Sequence, residues 1–347
     1  MHELKRYFSL VLMISLAACA TVDNPGEPVE PEMKVIFEST DEATETAPPE
    51  QGMEIPAQLE ATEVDVAQQA QEPVTEEAPQ EARVGITDDP AIESDPVSRL
   101  CEEVGEKLGS VSIEDCLDQN LVHSAYTTAK RSLAFKDYPP LPEREPLGRV
   151  LVIGGIHGDE FSSVSVIMKW MKILDQYHSG LFHWRFVPTA NPDGLLNHKS
   201  QRQNQNGVDL NRNFPTADWE GRALSYWEEQ THRNPRRHPG ARQASEPETQ
   251  WLVKQIDEFA PDVIISLHAP YHLVDYDGPP SAPDMLGELY LRRLGVFPGS
   301  LGNYAGIDLQ VPIVTVELKY AGIIPVQTEI DDMWRDLVRW LRRQLSR

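Results

Sequence analysis

Two short motifs hold residue types that could bind a metal ion. In GGIHGDE (residues 154–160), His157 and Glu160 are three positions apart, which can bring an imidazole and a carboxylate to one side of a turn. His268 lies in the second motif, SLHAP (residues 266–270). Two histidines and one glutamate form a familiar catalytic zinc set that leaves one coordination position for water. These residues therefore predict a catalytic zinc site. The alternative is a surface histidine beside a helix-capping acid.

His272 competes with His268 for the third ligand position. The two histidines are four residues apart, but Pro270 stands between them. Proline in a helix interior removes a hydrogen bond and clashes with the preceding turn, which disfavours one helix that presents both imidazoles. We therefore predict His268 as the ligand.

The elements that must position these residues can be read from apolar runs and helical spacing. Both motifs follow apolar runs that predict buried strands, at 149–153 and 263–267. Further strands are predicted at 182–187 and 311–318, and helices at 162–177, 245–259 and 329–345, with Ser245 as the N-cap of the second helix. This alternation predicts an α/β fold with a mixed, mostly parallel central sheet and helices on both faces. In such sheets functional groups collect at the carboxyl ends of the strands.

The charge of the chain is unevenly distributed. Of the net charge of -24, most lies in residues 20–100, which hold 21 acidic and 3 basic residues. Residues 19–95 are rich in Pro, Glu, Thr, Ala and Gln, and such a composition cannot bury enough apolar surface to offset the ordering entropy. We predict a disordered acidic tether there. No part of the chain offers the broad basic surface of a nucleic-acid-binding protein. No apolar run reaches the ~18 residues of a membrane-spanning helix, which excludes a polytopic membrane protein.

The first residues predict an export signal. Lys5 and Arg6 precede an apolar run at 8–18, which is too short to span a membrane and is typical of a secretory signal. The run ends in LAAC (residues 16–19), which resembles a bacterial lipobox. The resemblance implies a signal peptide at 1–18, lipidation of Cys19 and anchoring in the cell envelope, on the periplasmic face of the outer membrane. Ordinary cleavage without lipidation is the alternative.

After Cys19, the chain has two cysteines, Cys101 and Cys116. In an oxidising compartment they are predicted to pair, since cysteines of exported proteins commonly form disulfides. They lie in a small N-terminal extension (residues 96–147) whose start has helical spacing, so we predict a disulfide-linked helical hairpin. Two free buried thiols are the alternative. Zinc binding by the pair is not expected, because no nearby ligands complete a set of four.

A longer motif gives the chain a family resemblance. It reads NPDGLLNHKSQRQNQNGVDLNRNFP (residues 191–215). Together with GGIHGDE, SEPETQ, SLHAP and VTVELKY, it resembles the zinc carboxypeptidase (funnelin) family, in particular its bacterial branch of murein peptide amidases. The resemblance covers about residues 148–345 and implies a zinc carboxypeptidase-like catalytic domain at 148–347.

The resemblance also implies a metal centre and its base. His157, Glu160 and His268 would bind one Zn²⁺ per chain. Asp209 would orient His157, a common arrangement for a metal-bound imidazole. Glu317 would act as general base for the water nucleophile and later protonate the leaving amine. A base must lie within hydrogen-bond reach of the water it activates, and the apolar residues around Glu317 favour a partly desolvated carboxylate.

Three further residues would contact the substrate by the same resemblance. Arg202 would stabilise the oxyanion of the tetrahedral intermediate. Asn211 and Arg212 would bind the substrate's terminal carboxylate, which a guanidinium can hold with two parallel hydrogen bonds. The implied activity is hydrolysis of an amide bond next to a free carboxylate.

Export to the envelope makes peptidoglycan stem peptides the expected substrate, at the γ-D-glutamyl–diaminopimelate bond. The alternatives are a general peptide carboxypeptidase, an N-acyl amino acid deacylase, and a zinc-containing envelope binding protein without turnover. Glu317 and Arg202 argue against the last alternative, because a binding protein needs no base.

The chain also departs from the family pattern. Digestive members carry a tyrosine about six residues before a Gly-Ser pair, whereas Leu294 stands in that place before Gly299-Ser300. The sequence does not assign that role to Tyr290 or Tyr304. Residues 216–244 are either a loop over the rim of the active site or a plain insertion, and we expect the insertion.

Overall fold

The structure is a computed structural model that describes residues 95–279 and 281–346. These residues all belong to one compact unit. The expected signal peptide, Cys19 and the acidic tether up to residue 94 lie outside the described residues.

Helices and short strands alternate along the described chain. The helices are α1 (Pro96–Lys107), α2 (Ile113–Leu117), α3 (Phe161–Tyr177), α4 (Pro192–Leu196), α5 (Trp219–Glu229), α6 (Pro247–Phe259) and α7 (Gln327–Leu345). The strands are β1 (Val122–Tyr126), β2 (Ser132–Tyr138), β3 (Arg149–Ile153), β4 (His183–Val187), β5 (Val263–His268), β6 (Leu273–Asp277), β7 (Met285–Leu286), β8 (Leu289–Tyr290) and β9 (Ile313–Glu317). A π-helix at Gly302–Asp308 and two 3₁₀ turns, Leu210–Arg212 and Pro235–Arg237, complete the list.

The described strands form one seven-stranded sheet in the order β1-β2-β4-β3-β5-β9-β6, with β7 and β8 as a separate pair. The pairs β4–β3, β3–β5 and β5–β9 are parallel, and the pairs towards both edges are antiparallel. The predicted mixed α/β sheet is confirmed, with its parallel strands in the centre. Because β3, β5 and β9 run in the same direction, their carboxyl ends meet at one edge of the sheet.

Apolar side chains on both faces of the sheet explain why the central strands are buried throughout. Val150 and Val152 of β3 belong to a core shared with α3 and α7, whereas Leu151 and Ile153 belong to a second core shared with α6. Alternate residues of a strand point to opposite faces, so one continuous apolar run supplies both cores. Helices therefore cover both faces, as predicted.

The N-terminal extension continues the central sheet. Strand β2 pairs with β4, and β1 pairs with β2 at the sheet edge. Helix α1 packs into the first core through Val97, Leu100 and Val104, and a disulfide joins Cys101 of α1 to Cys116 of α2. Among the described helices, none combines the length and apolar character that crossing a membrane requires.

One predicted helix start is wrong. The N-cap of α6 is Glu246 rather than Ser245. The Ser245 hydroxyl instead donates to Glu246 Oε1 at 2.6 Å and accepts a hydrogen bond from Asn213 Nδ2 at 3.0 Å. Tertiary contacts thus occupy the side chain that the local pattern assigns to capping.

Candidate active site

Three strand ends place the predicted metal ligands and base beside one another. Strand β3 ends at Ile153 and leads through Gly154-Gly155 to His157, while Glu160 precedes the first turn of α3. Gly155 has a φ of +61°, a conformation that side chains disfavour, and a Cβ there would press on Val164. His268 and Glu317 are the last residues of β5 and β9, and they are direct partners in the parallel ladder.

His157, Glu160 and His268 converge in a buried cluster. Glu160 Oε1 lies 2.8 Å from His157 Nδ1, and Glu160 Oε2 lies 3.0 Å from His268 Nδ1. The two Nδ1 atoms are 3.1 Å apart. Within the described residues, these three form the group of His, Cys, Asp and Glu side chains that could hold a metal ion. A carboxylate and two imidazole nitrogens directed at one point suit Zn²⁺. His272 is not in this group.

Electrostatics keeps Glu160 in the form that a metal ligand needs. Burial alone would raise the pKa of this carboxyl, but His157 and His268 together lower it far below its usual range. The pKa of His157 is raised. Burial and the Arg202 guanidinium lower it, but the carboxylates of Glu160 and Asp209 outweigh them. The cluster therefore contains a carboxylate anion at neutral pH.

Asp209 lies at Nε2 of His157, whereas Arg202 Nη1 lies 3.2 Å from its Nδ1. Asp209 is fully buried, and its Oδ1 lies 3.3 Å from His157 Nε2. Its Oδ2 accepts a hydrogen bond from Arg202 Nε at 2.9 Å. Burial would raise the pKa of Asp209, but Arg202 and His157 hold it well below its usual value. The geometry thus suits the predicted orienting role of Asp209. Arg202 Nη1 also lies 3.5 Å from Glu160 Oε1.

Glu317 faces the cluster from the neighbouring strand. Its side chain is buried, and its Oε2 accepts a long hydrogen bond from Tyr271 N at 3.5 Å. Burial raises the pKa of Glu317, and the nearby Glu160 carboxylate adds to the rise, although His268 opposes it. A desolvated carboxylate with few hydrogen-bond partners is a stronger proton acceptor than a solvated one.

Arg212 is a buried cation near Asp209 that forms no direct ion pair among the described residues. It forms no ion pair with any described residue, and its Nε, which is buried, has no hydrogen-bond partner there. Burial lowers its pKa to about 10, so it remains charged at neutral pH. Asn211 lies beside it, with its Oδ1 fixed by a hydrogen bond from Leu301 N at 2.8 Å. The pair is therefore suited to bind an anion from solution.

All the predicted metal-binding, catalytic and substrate-binding residues except Asp209 line one cavity of about 420 Å³. Sequence reasoning missed several other residues of its wall: Asn234, Arg236, Arg237, Tyr271, Asp275 and Asp277. Asp275 and Asp277 could have been found as two acids at alternating positions of a strand. Tyr271 follows the His268 motif, three residues after the ligand, but lies in an irregular segment.

The expectation for residues 216–244 was wrong, because this segment reaches the rim of the cavity. Its 3₁₀ turn carries Arg236, whose Nη2 lies 2.8 Å from Asp159 Oδ2 in the first metal-binding motif. Neither Tyr290 nor Tyr304 lines the cavity. Tyr304 is instead buried against Phe214, with ring centroids 5.8 Å apart.

This fold and this donor set define a class of metal-dependent hydrolases. Residues 139–277 match the family model described as zinc carboxypeptidase. Over 174 residues the chain is 33% identical to murein peptide amidase A of Escherichia coli (strain K12), which covers 48% of this chain and 69% of that protein. Over 183 residues it is 30% identical to murein peptide amidase A of Vibrio campbellii (strain ATCC BAA-1116). This match covers 50% of this chain and 71% of that protein.

The chain belongs to the zinc carboxypeptidase family. It is accordingly a hydrolase of the metallopeptidase class. The solved carboxypeptidase A of Helicoverpa armigera has a similar fold, with a TM-score of 0.52 at 15% sequence identity over 71% of each chain.

Proposed function

We propose that this protein hydrolyses the γ-D-glutamyl–diaminopimelate bond of peptidoglycan stem peptides, with one Zn²⁺ held by His157, Glu160 and His268. The relatives named murein peptide amidase A support this substrate class. The observation that carries the proposal is that the metal-binding cluster and the unpaired, buried Arg212 share one cavity. A metal centre beside an anion-binding cation suits cleavage of an amide near a free carboxylate.

In the mechanism that we propose, each residue acts from the position described above. His157, Glu160 and His268 would hold the Zn²⁺ ion, which would supply the Lewis acidity that makes water a nucleophile at neutral pH. Asn211 and Arg212 bind the terminal carboxylate and fix the scissile amide in the cavity. Glu317 accepts a proton from the attacking water and then donates it to the leaving amine. Arg202 stabilises the negative charge that develops on the former carbonyl oxygen.

Location in the cell is part of the same proposal. The signal-like residues 1–18 and the lipobox at Cys19 support export and a lipid anchor, and the acidic segment after them supports a spacer between anchor and enzyme. A catalytic unit held at the periplasmic face of the outer membrane would lie next to peptidoglycan.

Mass spectrometry of reaction products tests the proposed activity. The full chain is incubated with three substrates: the stem tripeptide L-alanyl-γ-D-glutamyl-diaminopimelate, an ordinary α-linked peptide with a free C-terminal carboxylate, and an N-acyl amino acid. Each reaction is run with and without a chelator. We expect chelator-sensitive release of diaminopimelate from the tripeptide. Faster shortening of the ordinary peptide would favour a general carboxypeptidase, and faster cleavage of the N-acyl amino acid would favour a deacylase. Zinc bound without any turnover would favour a binding protein.

A further inference from the structure

The N-terminal extension approaches the segment that carries Arg202 through the turn between β1 and β2 (residues 127–131). Thr127 N donates to Arg131 O at 2.9 Å, and Arg131 N donates to the Thr127 hydroxyl at 3.1 Å. The turn is therefore closed by its own hydrogen bonds, and Thr127 is buried in it. It precedes residue 139, where the match to the zinc carboxypeptidase model begins, so its contacts are not part of that match.

The turn supplies the hydrogen-bond donors of a buried carboxylate. Asp193 of α4 is fully buried. Its Oδ1 accepts from the Thr127 hydroxyl at 2.8 Å and from Arg131 Nη1 at 3.3 Å, and its Oδ2 accepts from Ala129 N at 3.0 Å. Glu103 of α1 holds Arg131 in turn, with Oε2 2.9 Å from Arg131 Nε. A buried carboxylate is costly without such partners, so the turn determines where Asp193 can lie.

Helix α4 connects Asp193 to Arg202. The carbonyl oxygen of Gly194, next to Asp193, accepts a hydrogen bond from Gln201 N at 3.0 Å. A Cβ at Gly194 would lie 2.8 Å from Gln201 O, so the helix packs backbone against backbone on the segment with Arg202. Asn191, the N-cap of α4, donates through its Nδ2 to Arg202 O at 3.2 Å. A shift of α4 would therefore displace Arg202.

Asn191 also connects Arg202 to the first metal-binding motif. Its Nδ2 donates to Ile156 O at 3.2 Å, one residue before the ligand His157. Gly158 N, one residue after that ligand, donates to Arg202 O at 3.4 Å. The position of the Arg202 backbone relative to His157 consequently depends on α4.

Two further contacts of the extension lie on either side of Arg202 in the chain. Lys107 Nζ, at the end of α1, donates to Asn197 O at 2.8 Å. Asn206 Nδ2 donates to the Thr128 hydroxyl at 3.3 Å. Within the described residues the extension makes no hydrogen bond or ion pair with Arg202 itself. Any influence on Arg202 must therefore act through the residues around it.

We propose that Thr127 and Arg131 are positioning residues for catalysis. By holding Asp193, they fix the Arg202 guanidinium beside the metal ligands. The inference rests on the proposed function, in which Arg202 stabilises the oxyanion. Such a group contributes in the transition state, and a small displacement weakens its contribution. Loosening the turn should therefore lower kcat and leave KM and zinc content unchanged.

Thr127→Val tests the proposal, because valine keeps the shape of the side chain and lacks the hydroxyl. The full chain is assayed on whichever of the three substrates named above it cleaves fastest. We expect kcat to fall at least about tenfold, KM to stay within a factor of about three, and zinc to remain at one ion per chain. Thr127→Ser, which keeps the hydroxyl, should retain kcat. Thr231→Val is the matched control, since it removes a hydroxyl that donates to Trp227 O outside the extension.

A double-mutant cycle separates positioning from general destabilisation. In the Arg202→Met background, Thr127→Val should lower kcat less than about twofold, because the group that it positions is already absent. A loss as large as in the unmodified chain, or an unchanged kcat in Thr127→Val alone, would overturn the proposal. Arg131→Met, which removes the longer contact with Asp193, is measured in the same cycle and decides the outcome if Thr127→Val does not fold.

Hydrogen exchange separates this result from failure of the proposed function, because it needs no turnover. Mass spectrometry of the zinc-loaded full chain should show faster exchange at residues 197–206 in Thr127→Val than in Thr231→Val. Faster exchange there without cleavage of any substrate would support the hold of the turn on this segment and contradict the hydrolase. Cleavage with unchanged exchange and an unchanged kcat in Thr127→Val would do the reverse.

Discussion

At the scale of single residues, the site contains two kinds of charged group. His157, Glu160, Asp209 and Arg202 contact one another within 3.5 Å and hold each other in place. Arg212 forms no direct ion pair with any described residue, and Glu317 has a single long hydrogen bond. The first kind is suited to hold a metal ion rigidly. The second kind has spare hydrogen-bonding capacity, which a substrate and a water molecule can use.

Replacing Glu317 by Gln should separate metal binding from catalysis. The side chain keeps its size but loses the ability to accept a proton, so we expect kcat/KM to fall by about 10²- to 10⁴-fold. Zinc content measured by elemental analysis should stay at one ion per chain, since Glu317 is not among the three converging side chains. Turnover comparable to that of the unmodified protein would refute the role of Glu317 as base.

The choice between the two nearby histidines can be checked by metal content. His268→Ala removes one of the three groups that meet at about 3 Å and should abolish stoichiometric zinc binding. His272→Ala, four residues further along, is the matched control and should retain one zinc ion. The opposite pattern in elemental analysis would reverse the ligand assignment.

Arg212→Lys should weaken carboxylate recognition selectively. A lysine keeps the positive charge but cannot form two parallel hydrogen bonds with a carboxylate. We expect kcat/KM for a substrate with a free terminal carboxylate to fall at least about tenfold more than that for its amidated form. An equal loss on both substrates would show that Arg212 does not bind this carboxylate.

At the scale of elements, the segment between α4 and the 3₁₀ turn at Leu210–Arg212 carries Arg202 and Asp209 and has no helix or strand. Asn204 holds it against the start of α6. Its Nδ2 donates to Glu246 Oε2 at 2.8 Å and to Glu248 Oε2 at 3.0 Å. This contact lies two residues from Arg202, so α6 helps to position the predicted oxyanion-stabilising group.

Burial of Glu248 makes stability depend on pH. Burial is the main cause that raises the pKa of Glu248 to about 7, from 4.5 for an unperturbed glutamate. Between these two pH values the folded state holds a proton that the unfolded state has lost, so the contribution of Glu248 to stability decreases as pH rises through this range. Above about pH 7 the folded protein carries the full cost of a buried carboxylate at this position.

Glu248→Gln should remove this cost. We expect little effect on the free energy of unfolding at pH 4 and an increase of roughly 1–3 kcal/mol at pH 8. Denaturant unfolding at both pH values measures the difference. Glu258→Gln, at an exposed position of the same helix, is the matched control and should be nearly neutral at either pH. A stabilisation that does not grow with pH would contradict the assignment to Glu248.

At the scale of the whole molecule, the described catalytic unit follows an N-terminal segment with a different composition. The proposed lipid anchor on Cys19 predicts where the protein is found. In a Gram-negative host, the full chain should sediment with the membrane fraction and dissolve in detergent. The Cys19→Ser variant should lack the lipid anchor. It should therefore be found in the soluble periplasmic fraction or keep its uncleaved signal peptide. Membrane association that does not depend on Cys19 would contradict lipidation.

Local patterns predicted the central elements well. The predicted strand at 149–153 coincides with β3, and α3, β5 and α7 begin and end within two residues of their predicted limits. These elements are long or wholly apolar, so their hydrophobic pattern is strong. The chemistry at strand ends was also predictable, because parallel strands bring their carboxyl ends to one edge. Ser245 shows the limit, since contacts with Asn213 and Glu246 outweigh its capping preference.

The sequence by itself determined the α/β class, the likeness to zinc carboxypeptidases and the identity of the predicted metal ligands, because these depend on residue type and local spacing. Tertiary structure alone decided which other groups reach the cavity. Asp275 and Asp277 lie there because β6 pairs antiparallel with β9, and Arg236 lies there because it forms an ion pair with Asp159, 77 residues earlier in the chain. Such contacts depend on strand pairing and packing between distant segments, which no local pattern in the chain encodes.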